Sequence, residues 1–274
     1  MTTLKNGLSE DLNRQGNEHF SHGNYTDAYT CYAKALECDR LTGDRRALAA
    51  TLGNLGNICA VSGRREAAQE YYQEVLELQK ILGDEKGIGT TLANLGNLRA
   101  DAGEWTRARA YYLEALDLMT KTRDEAAKAV LYSDLGLVSR ETGKFDDAVR
   151  QYERSLTLMR RLGNQGGIAD AWRMLARTFL MQQRYDDAIA CCQTSLSVAE
   201  RSRDDLRTGG ARYILAQCYE ELGRLEEAGA LLEQVVAMDR KYQLPKLQEN
   251  VGRLERLRER VAALASLELK ESRS

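Results

Sequence analysis

The chain has 274 residues, 43% of them hydrophobic and 29% charged, with 39 Lys and Arg against 41 Asp and Glu and a formal net charge of −2. The two signs are interspersed, which excludes the basic stripe of a nucleic-acid binder, and no stretch approaches the ~18 uninterrupted apolar residues of a membrane span. Pro245 is the single proline of the whole chain, which argues against a fold of sheets and turns and for long unbroken helices.

Residues 1–8 read as a polar N-terminal tail. The stretch Met1 to Glu10 lacks the apolar core of a secretory signal, and a cytoplasmic location is expected. Cysteines stand at 31, 38, 59, 191, 192 and 218 without a CxxC pair. Reduced, buried thiols are the simplest reading. His19 and His22 are three apart on one helix, but no third ligand stands near them, so neither a metal nor any other cofactor is expected.

From about residue 9 to 244 the chain repeats every forty residues. Gly23, Gly63, Gly103, Gly143 and Gly223 mark one place, with Gln183 filling the gap. Gly16, Gly56, Gly96, Gly136, Ala176 and Ala216 mark a second. Ala28 recurs as Ala68, Ala108, Ala148, Ala188 and Ala228, and Tyr32 as Tyr72, Tyr112, Tyr152, Cys192 and Leu232. The units run about 9–48, 49–88, 89–128, 129–168, 169–208 and 209–244. Each reads as two helices, since Leu52, Leu55, Gly56, Cys59 and then Ala68, Tyr71, Tyr72, Val75, Leu76 keep helical spacing. Each helix alone would expose an apolar stripe, so it must stack on its neighbours. The small residues are expected where the two helices of a hairpin cross closely. Gly43-Asp44, Gly83-Asp84, Arg123-Asp124, Gly163-Asn164 and Arg203-Asp204 end one helix and cap the next, placing helix starts near 45, 85, 125, 165 and 205.

The segment 245–268 departs from the repeat. Leu247, Val251, Leu254, Leu257, Val261 and Leu264 form one stripe, which suits a capping helix over the sixth unit. A short heptad seam that dimerises is the alternative. Residues 269–274 read as a frayed tail.

The segments Leu52-Gly53-Asn54-Leu55-Gly56-Asn57 and Leu92-Ala93-Asn94-Leu95-Gly96-Asn97, with Gly103-Glu104-Trp105-Thr106-Arg107-Ala108 followed by Tyr112 and Leu116, resemble the tetratricopeptide repeat. The forty-residue unit without a closing proline is similar to the long repeats of kinesin light chains and LGN-type adaptors. The resemblance implies an all-α, right-handed α-solenoid of six hairpins plus the capping helix, with the first helices lining a concave groove.

In that register one line runs Arg14, Asn54, Asn94, Asp134, Met174, Ile214, and another Asn17, Asn57, Asn97, Leu137, Arg177, Gln217. A third runs Asn13, Gly53, Ala93, Ser133, Arg173, Tyr213. An Asn side chain both donates and accepts, so Asn13, Asn17, Asn54, Asn57, Asn94 and Asn97 could hold the backbone of an extended peptide. Local hydrogen bonding between helices is the alternative. Arg173 and Arg177, one turn apart on the face of Asp134 and Arg140, could hold an acidic side chain or a carboxyl end, or could pair with acids such as Asp170. Glu220 and Glu221 would make the far end acidic. The two-carboxylate clamp of tetratricopeptide co-chaperones would need Lys, Asn, Asn, Lys and Arg. Here Asn13, Asn17, Asn54, Thr90 and Asn94 fill those places, so all three cations are missing.

Catalysis finds no support. Cys191 and Cys192 lack a base, and Gly163, Gly166 and Gly167 follow no strand. The expectation is a non-enzymatic scaffold or adaptor that binds a protein or peptide partner in the groove, as monomer or homodimer. A self-assembling structural protein, or a peptide-signal sensor acting through a separate effector, are the alternatives.

Overall fold

A computed structural model of the chain describes residues 2–271, with side chains from 7 to 266. Among the described residues there are thirteen α-helices and no strand. They are α1 (Thr2–Ser21), α2 (Tyr25–Thr42), α3 (Arg45–Val61), α4 (Arg65–Leu82), α5 (Glu85–Asp101), α6 (Trp105–Lys121), α7 (Glu125–Glu141), α8 (Phe145–Arg161), α9 (Gln165–Met181), α10 (Tyr185–Arg201), α11 (Asp205–Glu221), α12 (Leu225–Tyr242) and α13 (Leu247–Glu271). Six helix hairpins are thus followed by one further helix, the all-α arrangement that the periodicity predicts.

Helix α1 runs back to Thr2, so the segment expected as a tail continues the first helix. No proline stands there to stop it. At the other end α13 continues to Glu271, past the tail boundary expected at 269, and residues 272–274 lie outside the described residues.

Packing divides the chain into two units, residues 1–131 and 132–274, with the division inside α7. In the first unit α1 packs on α2, α3 on α4 and α5 on α6, while α2–α3 and α4–α5 join successive hairpins. In the second unit α9–α10 and α11–α12 are hairpins, joined through α8–α9, α10–α11 and α12–α13.

The hairpin crossing is a ring-on-glycine contact. A Cβ added at Gly16, Gly56 or Gly96 would stand 2.5 Å from a ring carbon of Tyr32, Tyr72 or Tyr112, and at Gly136 it would stand 2.7 Å from Tyr152. These four rings are almost wholly buried. Helix starts fall at 45, 85, 125, 165 and 205 because the preceding residue caps them. Asp44 accepts from the backbone N–H of Arg46 and Ala47, Asp84 from Gly87, Asp124 from Ala127, Asn164 from Gly167 and Asp204 from Arg207.

Helix α13 covers the end of the second unit. Leu254 and Leu257 are buried with Ala228, Leu232 and Val236 of α12, and Leu247, Val251 and Val261 pack against that cluster. Leu264, the last residue of the expected stripe, is 51% exposed.

Candidate functional site

The six amides of the expected ladder fall into two groups. Asn17, Asn57 and Asn97 are exposed, yet each Oδ1 accepts from the tyrosine hydroxyl fifteen residues on: Tyr32 at 2.7 Å, Tyr72 at 2.8 Å and Tyr112 at 2.7 Å. Asn13 and Asn54 are half-buried and belong to a chain of bonds. Asn54 Nδ2 donates to Asn13 Oδ1 at 3.1 Å, Asn13 Nδ2 to Thr51 Oγ1 at 2.8 Å, and the Thr51 hydroxyl to the buried Asp39 carboxylate at 2.6 Å. Asn94 Nδ2 donates to Asn57 Oδ1 at 3.4 Å. Local hydrogen bonding, the alternative reading, therefore engages all six. Each amide has four hydrogen-bonding positions, so capacity for a ligand remains, notably at the Nδ2 protons of Asn17, Asn57 and Asn97.

The register itself carries this structural role. Where the ring is kept and its partner is Asn, the hydroxyl is satisfied. In the fourth unit Leu137 replaces the amide, and the buried Tyr152 hydroxyl has no hydrogen-bond partner. In the fifth and sixth units Cys192 and Leu232 replace the ring, Ala176 and Ala216 replace the glycine, and Arg177 and Gln217 take the amide position. With no hydroxyl to hold, those two side chains are released from the hairpin.

In the second unit the expected polar residues diverge. Asp134 is half-buried, and desolvation pushes its carboxyl up to about 7. Arg140 is buried, donating to Glu141 Oε1 at 2.8 Å and to Met174 Sδ at 3.5 Å. Arg173 pairs with Asp170 at 3.1 Å, and Arg207 binds the other oxygen of that carboxylate at 2.9 Å. Arg177 is exposed and forms no ion pair among the described residues. Of the two acids expected at the far end, Glu220 is bound at 2.7 Å by both Arg253 and Arg260 of α13, while Glu221 is exposed.

Arg173 and Arg177 share one cavity of about 430 Å³. Ile214 of α11, Val235 and Met238 of α12 and Leu244 and Pro245 of the following turn make its apolar lining, with Lys246 and Asn250 completing it. Met238 and Arg173 pack closely on Gly209 and Gly210, since a Cβ at Gly209 would collide with Met238 and one at Gly210 would come within 3.2 Å of Arg173. Besides the cations, the cavity lining includes a buried polar pair. Asn250 Nδ2 donates to Asp239 Oδ2 at 2.7 Å, and both residues are 3% exposed. Sequence reasoning reached the two arginines but not Asp239, Lys246 or Asn250. A signal existed, because Asp39 and Asp239 share one register place that is held by Gln79, Met119, Met159 and Ala199 in between. Asp39 binds Thr51, and Asp239 binds Asn250, so the acid returns only where the next helix offers it a polar partner.

Among the described residues no group of three metal-ligating side chains occurs and no helix is long and apolar enough to cross a membrane.

The tetratricopeptide repeat family profile matches residues 5–81, 87–161 and 167–241. The chain belongs to the tetratricopeptide repeat family, and its hairpins are that family's α-solenoid units. Solved structures agree on the fold at low identity. Tetratricopeptide-like repeats of a putative kinesin light chain from Podosopora anserina share 20% identity in one structure, with a TM-score of 0.57 over 71% of this chain and 96% of that one. A Rap protein complexed with competence and sporulation factor shares 15%, with a TM-score of 0.67 over 92% of this chain and 75% of that one. Aspartyl phosphate phosphatase F from Bacillus subtilis shares 10%, with a TM-score of 0.72 over 94% and 72%. A search of curated protein sequences returns no match.

Proposed function

We propose that this chain is a non-catalytic, cytoplasmic interaction scaffold that binds an extended peptide or partner segment along the face of its first helices. The observation that carries this reading is the cavity between α9, α11 and the α12–α13 turn. It is apolar inside and carries Arg177 and Lys246, two exposed cations without ion-pair partners among the described residues. Pockets that combine apolar walls with a few polar groups are the usual form of a recognition site. The remaining amide protons of Asn17, Asn57 and Asn97 and the positions of Asn54 and Asn94 would hold peptide backbone in the first unit. The similarity to a Rap protein complexed with competence and sporulation factor supports a binding role. The similarity to an aspartyl phosphate phosphatase is one of fold and carries no residue of a reaction into this chain.

The test is an array of short unstructured peptides probed with the full chain and with the Arg177→Ala, Lys246→Ala double variant. Both substitutions are at exposed positions, so circular dichroism should be unchanged. Selective binding that weakens in the variant is expected. Failure of the wild-type chain to select any peptide would remove the reading.

A further inference from the structure

Charges of both signs are interspersed along the sequence, but the second unit sorts them in space. The turns that follow α8, α10 and α12 lie together at one end of its hairpins. Lys241 Nζ and the Tyr242 hydroxyl, beside the third turn, donate to Asp205 beside the second at 2.7 and 2.6 Å. Arg207 reaches from the second turn to Asp170 at 2.9 Å and packs on Gly166 beside the first. Arg161, Arg201, Arg203 and Arg240 are exposed at this end and form no ion pair among the described residues. The acids there are engaged: Glu200 accepts from Arg212 at 3.0 Å, Asp204 caps α11 and binds Arg207, and Asp205 holds Lys241. Glu249, in the first turn of α13, is the exposed acid left over. At the opposite end, beside the turns that precede α8, α10 and α12, the exposed charges without ion pairs are Asp146, Asp186, Glu221 and Glu226, against Lys144.

The helix macrodipole accounts for part of this sorting, since cations are favoured at the ends of α8, α10 and α12. It does not account for Arg203, which holds a φ of 53° in a turn where Gly163 fills the equivalent place without a Cβ to crowd. Nor does it account for the apolar side chains that stand among the cations. Leu162 is 46% exposed, Leu206 53% and Tyr242 41%, one beside each turn.

We propose that this end of the second unit docks on an anionic lipid surface. The four arginines meet the phosphate and carboxylate headgroups, while Leu162, Leu206 and the Tyr242 ring enter the boundary between headgroups and acyl chains. A tyrosine suits that boundary because its ring is apolar and its hydroxyl polar. The apolar side chains stand on three separate turns, so a fluid interface can take each on its own, whereas a folded partner needs a matching pocket for each. A nucleic acid would set the same three side chains against its phosphates. The opposite end, with its unpaired acids, is turned away by the same field. The proposal is independent of the cavity and of the peptide-binding reading.

The probe is a vesicle of phosphatidylcholine, alone or with about 30% phosphatidylserine, sedimented with the full chain. The anionic vesicles should bind at least about tenfold more tightly, and added salt should weaken them. A variant combining Arg161→Gln, Arg201→Gln, Arg203→Gln and Arg240→Gln should lose at least about tenfold. The same charge removed by Lys34→Gln, Arg109→Gln, Lys144→Gln and Arg256→Gln should cost much less. Leu162→Ser with Leu206→Ser leaves the charge unchanged and should also weaken binding. Hydrogen exchange on the wild-type chain needs no variant to fold, and vesicles should protect the three turns at this end and not those at the other. Equal binding to the two vesicles, or an equal loss in both charge variants, would overturn the proposal. So would protection at the acidic end, or full binding by the leucine variant. Polyglutamate or single-stranded DNA held by the four arginines, with vesicles left unbound, would assign this end to an acidic macromolecule and overturn the lipid surface.

Discussion

At the scale of single residues, the same amide can serve the fold or a ligand, and hydrogen-bond geometry decides which. Asn57 holds the Tyr72 hydroxyl at 2.8 Å. Asn57→Ala is therefore expected to lower stability by about 0.5–1.5 kcal/mol. Tyr72→Phe should cost a similar amount, and the double variant less than the sum, which a thermodynamic cycle by urea denaturation measures. Gly56→Ala should cost more, about 1–3 kcal/mol, because the added Cβ meets a ring anchored at its hydroxyl. Among the described residues four sit in the left-handed region without being glycine: Arg123, Gln183, Arg203 and Gln243, with φ between 52° and 60°. Their counterparts Gly23, Gly43, Gly63, Gly83, Gly103, Gly143, Gly163 and Gly223 take the same conformation without a Cβ to crowd. Arg203→Gly should accordingly raise stability by about 1 kcal/mol, read as a higher melting temperature.

Asp134 gives a pH signature at the same scale. Its folded-state pKa of about 7 lies above its ordinary value of 3.8, so between those values the native state holds a proton that the unfolded chain has released. Stability is then lost as pH rises from about 4 to 7. Asp134→Asn should flatten that dependence and stabilise the protein above pH 7 by about 2 kcal/mol, a figure reduced from the full shift because the residue keeps some solvent contact. Denaturant titrations at pH 5 and pH 8 would check both statements, and a wild-type chain that gains stability across that range would refute them.

At the scale of elements, α13 decides how the second unit ends. Leu257 is 1% exposed against α12. Leu257→Ala should cost about 2–5 kcal/mol, measured by thermal or denaturant unfolding. The stripe expected from the heptad-like spacing is turned largely inward, with Leu264 left at its outer end. The helix also neutralises Glu220 through Arg253 and Arg260, so that of the two acids the linear charge order placed at this end only the exposed Glu221 is left to an approaching ligand. Helix boundaries were legible because capping is local. An acid or amide after a helix end bonds the N–H two or three residues on, and Asp44, Asp84, Asp124, Asn164 and Asp204 all do so. The ends of α1 and α13 were less legible, since polar helical sequence without a breaker does not announce where winding begins or stops.

At the scale of the molecule, the chain is two stacks of hairpins whose interior is closed to reagents. Cys59, Cys191, Cys192 and Cys218 are buried, and Cys31 and Cys38 are half-buried. Burial pushes the Cys59 thiol up and the Cys191 thiol up to about 11, and the hydrogen bond that the Cys192 thiol donates to Cys218, with burial, holds Cys192 higher still. A thiol reagent on the native chain should label Cys31 and Cys38 first, with the other four reacting only through opening of the fold, as peptide mapping by mass spectrometry would read. What the sequence by itself determined was the repeat, because a forty-residue period, helical spacing and caps are each written in neighbours along the chain. The placement of Arg177 on an exposed face followed from that register. What only the tertiary structure decided was which polar groups are spent on the fold. The bonds of Tyr72 to Asn57 and Asn54 to Asn13, and the unsatisfied Asn250 beside Asp239, depend on side chains from different helices meeting at hydrogen-bond distance, and no spacing along one helix contains that distance.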